Sequence, residues 1–401
     1  MRVTIDATPI GLETLDTGGV YRYVYQLVEA LARLGGEERY RLFFNFVRGR
    51  HRRVLKRNLE ALALPSRFDY RVCRVPPRWW YEAGVPVELM AGIADVFHGC
   101  FDRLPRQWAG RAVVTIHDVR YLEEDLEQVD PELRASLAGH PEWEADFDHR
   151  TRLFAELRAG IGRTLERASR VITVSGFSRQ RLMARTGISG ERVDVVYNGV
   201  SRHFAPVPRE RRREVLAGWG LDAPYLLYVG KLDPLKNLGR LLAAYARAFP
   251  ATGPELVLVG PRNWYYAELQ RQARALDVTG RVRFLPFVDD ARLPALYSGA
   301  LALALPSLYE GFGLPALEAM ACGTPAIVSD RGALPEVVGD AGLKVDALSV
   351  QAIAGALAEM VEAPALRRRL ATAGRERAGG FSWDRCARET RAVYRRAVEA
   401  T

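Results

Sequence analysis

Two glutamates, with seven residues between them, bracket the stretch Glu310-Gly-Phe-Gly-Leu-Pro-Ala-Leu-Glu318. Gly311 and Gly313 make a loop, and Pro315 opens a helix at a position where its missing N–H costs nothing. The first amides of such a helix have no intrahelical acceptor and carry partial positive charge, so they can hold an anion or a ring of hydroxyls. Glu310 falls in the loop and Glu318 about one turn inside the helix, so the two carboxylates can accept hydrogen bonds from different parts of one ligand. A single glutamate there could equally complement the helix dipole and be solvated. The pair, with its loop and helix start, favours ligand binding. The same run spells Gly311-x-Gly313-x-x-Ala316, a variant dinucleotide fingerprint. Pro306 to Glu310 separate it from the preceding strand, however, and it lies deep in the second half, so NAD binding is set aside.

A second group is Gly230-Lys231-Leu-Asp-Pro-Leu-Lys236-Asn237, between a strand and a helix. The chain has only four lysines, and two of them fall here. An ammonium is a compact cation suited to phosphate oxygens, so two near one strand end suit a diphosphate. Thr17-Gly18-Gly19 opens the first helix, where bare backbone can approach a phosphate, although glycine pairs also mark plain turns. His117-Asp118 ends a Val/Ile-rich strand, which places an imidazole where it can bond a sugar hydroxyl or a carbonyl. His98, at the end of Asp95-Val-Phe-His98, reads as structural. The chain contains no G-x-S-x-G elbow and no G-x-x-x-x-G-K-[ST] loop, which argues against an esterase or an NTPase.

The elements that must carry these residues alternate. Arg2–Asp6 reads as a strand, followed by a helix from Gly18-Gly19 with Val20, Val24, Leu27, Val28 and Leu31 on one stripe. Strands are expected over residues 40–46, 95–98, 112–117, 170–175 and 193–197, with helices over 53–62, 153–168 and 179–186. Asn198 to Glu210 has no periodicity and contains Pro206 and Pro208, so it reads as a linker. Strands then follow at 225–229, 256–260, 282–285, 300–305 and 326–329, and helices at 238–249, 265–276, 291–298, 315–321, 350–361 and 364–378. This is the pattern of two α/β doubly wound units, 1–200 and 201–381. In such sheets ligands bind beyond the carboxyl ends of the strands.

Composition narrows the class. The chain has 401 residues, 48% apolar and 26% charged, which suits two globular domains and excludes a disordered or collagen-like chain. No apolar run approaches the ~18–20 residues that cross a bilayer. Met1 to Ile10 has no apolar core, so it is not expected to be a signal peptide. The four cysteines, at 73, 100, 322 and 386, form no C-x-x-C pair. A zinc site or disulfide framework is not expected, and a cytoplasmic location follows. The net charge of +9 suits anionic partners, but the excess is arginine in an Ala- and Arg-rich chain. Arg48, Arg50, Arg52, Arg53, Lys56 and Arg57 form a basic cluster, and residues 122–148 an acidic one.

Taken together, Thr17-Gly-Gly-x-x-Arg22-Tyr23-Val24, Asp95-Val-Phe-His98, Thr115-Ile-His117-Asp118, Val171-Ile-Thr-Val-Ser175-x-Phe-Ser178, Tyr197-Asn-Gly-Val200, Gly230-Lys-Leu-Asp-Pro-x-Lys-Asn237 and Glu310-Gly-Phe-Gly-x-Pro-x-x-Glu318 resemble the retaining GT-B glycosyltransferases of family 4. The likeness covers essentially the whole chain, including Phe381-Ser-Trp383 before a last helix. It implies two Rossmann-like domains facing a cleft, with a C-terminal helix (382–401) returning to the N-terminal, acceptor-binding domain. The donor domain would be 201–381. Lys231 and Lys236 would bind the donor diphosphate, helped by Gly18 and Gly19. Glu310 would hold hydroxyls of the transferred sugar, assisted by Phe312, Gly313 and Leu314. Glu318 would bind the ribose, and His117 would sit near the reacting centre. The catalytic set implied is Glu310, His117 and Lys236. Lys231 stands where many relatives carry arginine, so the bidentate fork is lost and the charge kept.

The activity implied is a hexosyltransferase that forms an α-glycosidic bond with retention. It would use a GDP- or UDP-sugar, with no cofactor and no metal. Another sugar-nucleotide enzyme on the same fold, an epimerase or phosphorylase, and an inactive scaffold are the alternatives. The acceptor would be a glycan, a lipid-linked glycan or a small molecule, contacted by Tyr21, Arg22, Asp118, Tyr121 and the 119–150 region. Trp79, Trp80 and Tyr81 either stack on sugar or lipid or pack internally. The basic 48–57 region could rest on the inner face of a membrane, or could simply be a solvated amphipathic helix. No nucleic acid is expected as a partner.

Overall fold

The computed structural model describes residues 1–12, 14–46, 51–76, 78–82, 84–123 and 141–399. Two compact units emerge. The first comprises Met1–Glu123, Thr151–Gly199 and Ser382–Thr401, and the second Glu124–Arg150 with Val200–Phe381.

In the first unit the strands are β1 (Arg2–Asp6), β2 (Arg39–Asn45), β3 (Phe68–Cys73), β4 (Val96–Gly99), β5 (Arg111–Ile116), β6 (Arg170–Thr173) and β7 (Val193–Val195). They lie in the order β3-β2-β1-β4-β5-β6-β7, all parallel. The central strands are apolar runs because helices cover both faces of a parallel sheet. Thus Val113, Val114 and Ile116 of β5 are fully buried. The helix Thr14–Leu34 turns Val24, Leu27 and Val28 onto this core. Its backbone breaks at Gly18 (φ 46, ψ −120), a conformation that L-residues avoid, so the regular helix starts at Gly19. Trp383–Glu399 belongs to this unit and buries Trp383, Val393 and Tyr394. Tyr394 OH meets His98 Nδ1 at 2.7 Å, and His98 Nε2 meets Thr115 Oγ1 at 2.8 Å, so His98 is a saturated core group.

In the second unit the strands are β8 (Tyr225–Val229), β9 (Glu255–Val259), β10 (Val282–Leu285), β11 (Ala302–Leu305), β12 (Ala326–Ser329) and β13 (Leu343–Val345). Their order is β10-β9-β8-β11-β12-β13, again all parallel. The helix Leu238–Ala248 buries Leu238, Leu241, Leu242 and Tyr245 at helical spacing. The helix Val350–Glu362 is capped by Ser349 Oγ, which accepts from Ala352 N at 3.0 Å.

Several elements differ from expectation. The helix expected from Leu153 begins at Pro141, where Glu142 and Glu144 complement its N-terminus. The stretch read as linker ends in a helix, Arg209–Ala217, that buries only Leu216 and so gives little periodicity. β3, β13 and the short helix Leu334–Val338 were not foreseen. Trp80 is buried and stacks on Phe43 at 5.0 Å, so it packs internally, whereas Trp79 is exposed. The helix Arg52–Leu62 turns Leu55 and Leu62 inward, and Asn58 Nδ2 donates to Ile10 O at 2.7 Å. Its apolar side is therefore occupied by the unit itself. Residues 48–50 of the basic cluster lie outside the described residues, as do 124–140 of the acidic stretch.

Candidate functional site

Strand order reverses between β8 and β11 in the second unit. Connections leave such a pair in opposite directions and open a crevice at the carboxyl ends. Both lysine and glutamate motifs fall there. After β8, Asp233 Oδ1 accepts from Leu235 N at 2.9 Å and starts the turn Pro234–Lys236. Asn237 (φ 61, ψ 32) ends it. The Asn237 amide donates to Pro306 O (3.0 Å) and Ala347 O (2.6 Å), which fastens the lysine loop to the end of β11. Leu308 N donates to Leu235 O at 2.8 Å and closes the same seam.

Lys236 and Glu310 thereby meet: Nζ lies 2.7 Å from Oε1. Ser307 Oγ donates to the same oxygen at 2.9 Å. Both side chains are partly exposed, so the pair can trade partners with an incoming anion and hydroxyls. The Glu310 backbone is fixed from behind, where Ala333 N donates to its carbonyl at 2.9 Å. Gly332 (φ 64) lies so close that a Cβ there would meet Glu310 O at 2.6 Å. Gly313 (φ 103, ψ 50) precedes the helix Leu314–Ala321 and leaves its first amides uncapped by any side chain. Phe312 is buried, edge-on to Phe381. Lys231 is exposed and makes no ion pair among the described residues. Glu318 is buried (2% exposed), and one of its oxygens accepts from Tyr297 OH at 3.0 Å. The structure thus brings Lys236 and Glu310 together and sets Glu318 inward, on the buried side of the helix they flank.

The first unit has the same reversal between β1 and β4. Gly18 and Gly19 are exposed, and a Cβ on either meets nothing within 4 Å. His117, just past β5, is half-buried against Tyr23, edge-on at 4.7 Å. Its Nε2 lies 3.0 Å from Cys100 O, so Nε2 carries the proton and Nδ1 keeps its lone pair. Burial holds the His117 pKa below the usual histidine value, with the Cys100 hydrogen bond and Asp118 opposing. The ring is therefore neutral at pH 7. Arg22 and Tyr21 are half-buried, Tyr21 stacking with Tyr25 at 5.8 Å. Asp118 Oδ1 accepts from Arg120 N at 3.1 Å. Tyr121, expected among acceptor residues, is 2% exposed and packs in the core with Ile116, Val119 and Leu122, so its ring is not presented to solvent.

Two carboxyls missed by the sequence reading sit here. Asp102 Oδ1 accepts from His117 N at 3.3 Å. Burial, with the neighbouring Asp118 charge, pushes its pKa up to about 8. Asp6, which ends β1, accepts from Thr8 Oγ1 at 2.6 Å, and burial pushes it up to about 6. Only the adjacency of β1, β4 and β5 gathers them; a strand-end position for Asp6 was the one signal in the sequence. Among the described residues no group of three or more His, Cys, Asp or Glu side chains could hold a metal ion. The four cysteines are free thiols. No helix among those residues is long and apolar enough to cross a membrane.

Comparison with known proteins adds to this geometry. Residues 212–377 match the family described as Glycosyl transferases group 1, and residues 17–204 match Glycosyltransferase Family 4. The chain is 32% identical over 303 residues to O-antigen chain mannosyltransferase B of Escherichia coli, covering 75% of this chain and 74% of the relative. It is 36% identical over 259 residues to D-inositol 3-phosphate glycosyltransferase of Salinispora tropica, covering 60% of this chain but only 53% of that protein. It is 34% identical over 267 residues to MMP alpha-(1->4)-mannosyltransferase of Mycolicibacterium hassiacum, covering 64% and 60%. Among solved structures, sucrose-phosphate synthase from Thermosynechococcus elongatus has a TM-score of 0.72 at 24% identity, covering 100% and 99%. Anabaena HepE in complex with UDP-glucose has a TM-score of 0.70 at 18% identity, covering 100% of both chains. These neighbours share the architecture of two Rossmann-like domains.

Proposed function

The chain belongs to the family 4, group 1 glycosyltransferases of GT-B fold, and from that premise we propose that it is a retaining hexosyltransferase. It takes a hexose from a nucleoside diphosphate sugar and forms an α-glycosidic bond to a hydroxyl of a glycan, a lipid-linked glycan or a small acceptor. The mannosyltransferase names of two relatives favour mannose, from a GDP-sugar, as the transferred group. The UDP-glucose complex of Anabaena HepE keeps a UDP-sugar open. The cysteine usage favours a cytoplasmic site of action.

The observation that carries this reading is the Lys236–Glu310 pair at the β8/β11 reversal, beside an uncapped helix start. A diphosphate departs when its growing charge meets fixed cations and amides. Lys231 and Lys236 supply the cations, and the Gly313 and Leu314 amides, with exposed Gly18 and Gly19, supply N–H groups. Glu310, released from Lys236 by the incoming phosphate, accepts hydrogen bonds from sugar hydroxyls. Glu318 takes the ribose hydroxyls in the place its buried carboxylate now shares with Tyr297. His117, neutral, accepts a hydrogen bond from a sugar hydroxyl at Nδ1 and contributes no charge. The acceptor oxygen attacks the face from which the phosphate leaves and passes its proton to a phosphate oxygen. No protein nucleophile and no metal take part.

A thermal-shift panel of UDP-, GDP- and ADP-sugars tests the donor. The cognate one raises the unfolding midpoint by mass action and the others do not. Proton NMR of the product then reads the anomeric configuration. An inverted product, or turnover abolished by a chelator, would overturn the mechanism.

A further inference from the structure

The amino ends of β5, β6 and β7 lie at the opposite edge of the first sheet from His117 and Asp102. An open cavity of about 860 Å³ is cut into that edge, lined by Gly84, the 106–112 segment, residues 166–169 and Arg192. Four arginines are among its lining residues, Arg106, Arg111, Arg167 and Arg192, against one acidic residue, Glu166. Two of the four are anchored. Arg167 Nη1 donates to Leu104 O at 2.9 Å, and Arg192 Nη2 donates to the carbonyls of Leu165 and Ala168. The Arg192 bonds satisfy carbonyls at the carboxyl end of the helix Pro141–Arg167, and the Arg167 bond ties that end to the loop at Leu104, so both arginines have structural work. They do not account for Arg106 and Arg111, whose guanidiniums have no hydrogen bond or ion pair among the described residues. Four like charges against one carboxylate repel; burial and the neighbouring Arg163 and Arg106 lower the Arg167 pKa, with Glu166 opposing. At the rim, Glu88 Oε1 accepts from the Trp108 and Ala109 amides at 2.9 and 3.0 Å, and Trp108 is 64% exposed.

We propose that this cavity binds a phosphate-bearing anion, at a site separate from the strand carboxyl ends where the transfer reaction is placed. Anchored guanidiniums are pre-organised donors, and the two unpaired ones are free to close on phosphate oxygens with bidentate geometry. Trp108 offers a flat apolar surface to whatever carries the phosphate, a sugar ring or the glycerol region of a lipid. Two sources share this chemistry, a free phosphate ester and an anionic lipid headgroup.

The test uses the full chain carrying Lys231→Ala and Lys236→Ala, which removes the diphosphate cations proposed for the donor. Inorganic pyrophosphate is titrated calorimetrically. Separately, the protein is sedimented with vesicles of phosphatidylcholine, with and without phosphatidylglycerol. Binding of pyrophosphate identifies the free-phosphate source, and binding to the phosphatidylglycerol vesicles alone identifies the headgroup. In either case Arg106→Gln and Arg111→Gln weaken binding about tenfold per charge removed, and raised salt weakens it further. Since neither guanidinium bonds to the fold, the unfolding midpoint stays put; the single substitutions serve if the double one unfolds. The proposal is overturned if neither probe binds this chain, or if binding is indifferent to the arginine substitutions. Failure of the donor reading would show instead as unchanged nucleotide-sugar binding in the Lys231/Lys236 variant.

Discussion

Gly332→Ala is the sharpest probe of the Glu310 loop. The native φ of 64 places alanine in the left-handed region, at a cost of about 1–2 kcal/mol. The new Cβ would stand 2.6 Å from Glu310 O and 2.8 Å from Glu310 N, where ordinary contact begins at 3.4 Å. Both atoms are backbone, so no rotamer relieves the overlap, and the loop must retreat by about 0.8 Å. That shift stretches the Ala333 N–H bond to Glu310 O and carries the Glu310 carboxylate off the position set by Lys236 and Ser307. With ~2 kcal/mol lost in a unit of this size, the unfolding midpoint should fall by about 4–8 °C. A misplacement near 1 Å at a substrate-positioning residue costs about 100-fold in rate. Differential scanning fluorimetry and the initial rate of nucleoside diphosphate release, with cognate donor and acceptor, measure the two effects. A lowered midpoint with wild-type turnover would refute the role given to Glu310. An unchanged midpoint would refute the steric argument itself.

Gly19→Ala fills open space in a helical position, so stability should hold or rise by about 0.5–1 kcal/mol, whereas donor KM should rise if backbone approaches phosphate there; an unchanged KM removes Gly19 from the donor site. Tyr297→Phe deprives the buried Glu318 carboxylate of its 3.0 Å donor and should cost about 1.5–3 kcal/mol in urea unfolding; an equal midpoint and slope would mean that Glu318 has compensating partners. Asp102 is an acid whose folded pKa is raised, so the folded state holds its proton more tightly than the unfolded chain. Stability from this group is therefore full below about pH 4 and declines as pH rises toward about 8, and Asp102→Asn should flatten that decline, by on the order of a few kcal/mol at pH 8. Chemical unfolding of both proteins at pH 5 and pH 8.5 decides it, and parallel pH profiles would reject the burial assignment. Glu310→Ala should abolish measurable transfer while the donor still shifts the midpoint; retained turnover would reject the mechanism.

Chemistry-bearing types at fixed short spacing, and apolar runs at period 2 or 3.6, are local properties, and the sequence determined those by itself. Strands β8, β10 and β12 fall where their Val/Ile/Leu runs end, and the Glu310–Glu318 loop-and-helix is legible because glycine and proline restrict backbone geometry one residue at a time. Elements with weak periodicity were not legible. Arg209–Ala217 buries one leucine, and β3, with Phe68, Tyr70 and Val72 in alternation, exposes Tyr70 and Val72 at a sheet edge. Contacts across large separations were decided only by the tertiary structure. Lys236 reaches Glu310 because β8 and β11 are neighbours at a reversal of strand order. Asp102 is pushed toward its protonated form because the fold buries it near the Asp118 charge, against the opposing His117 amide, and Glu318 lies buried where Tyr297 can donate to it. Sheet order and burial arise from the packing of the whole chain, and no window of residues contains them.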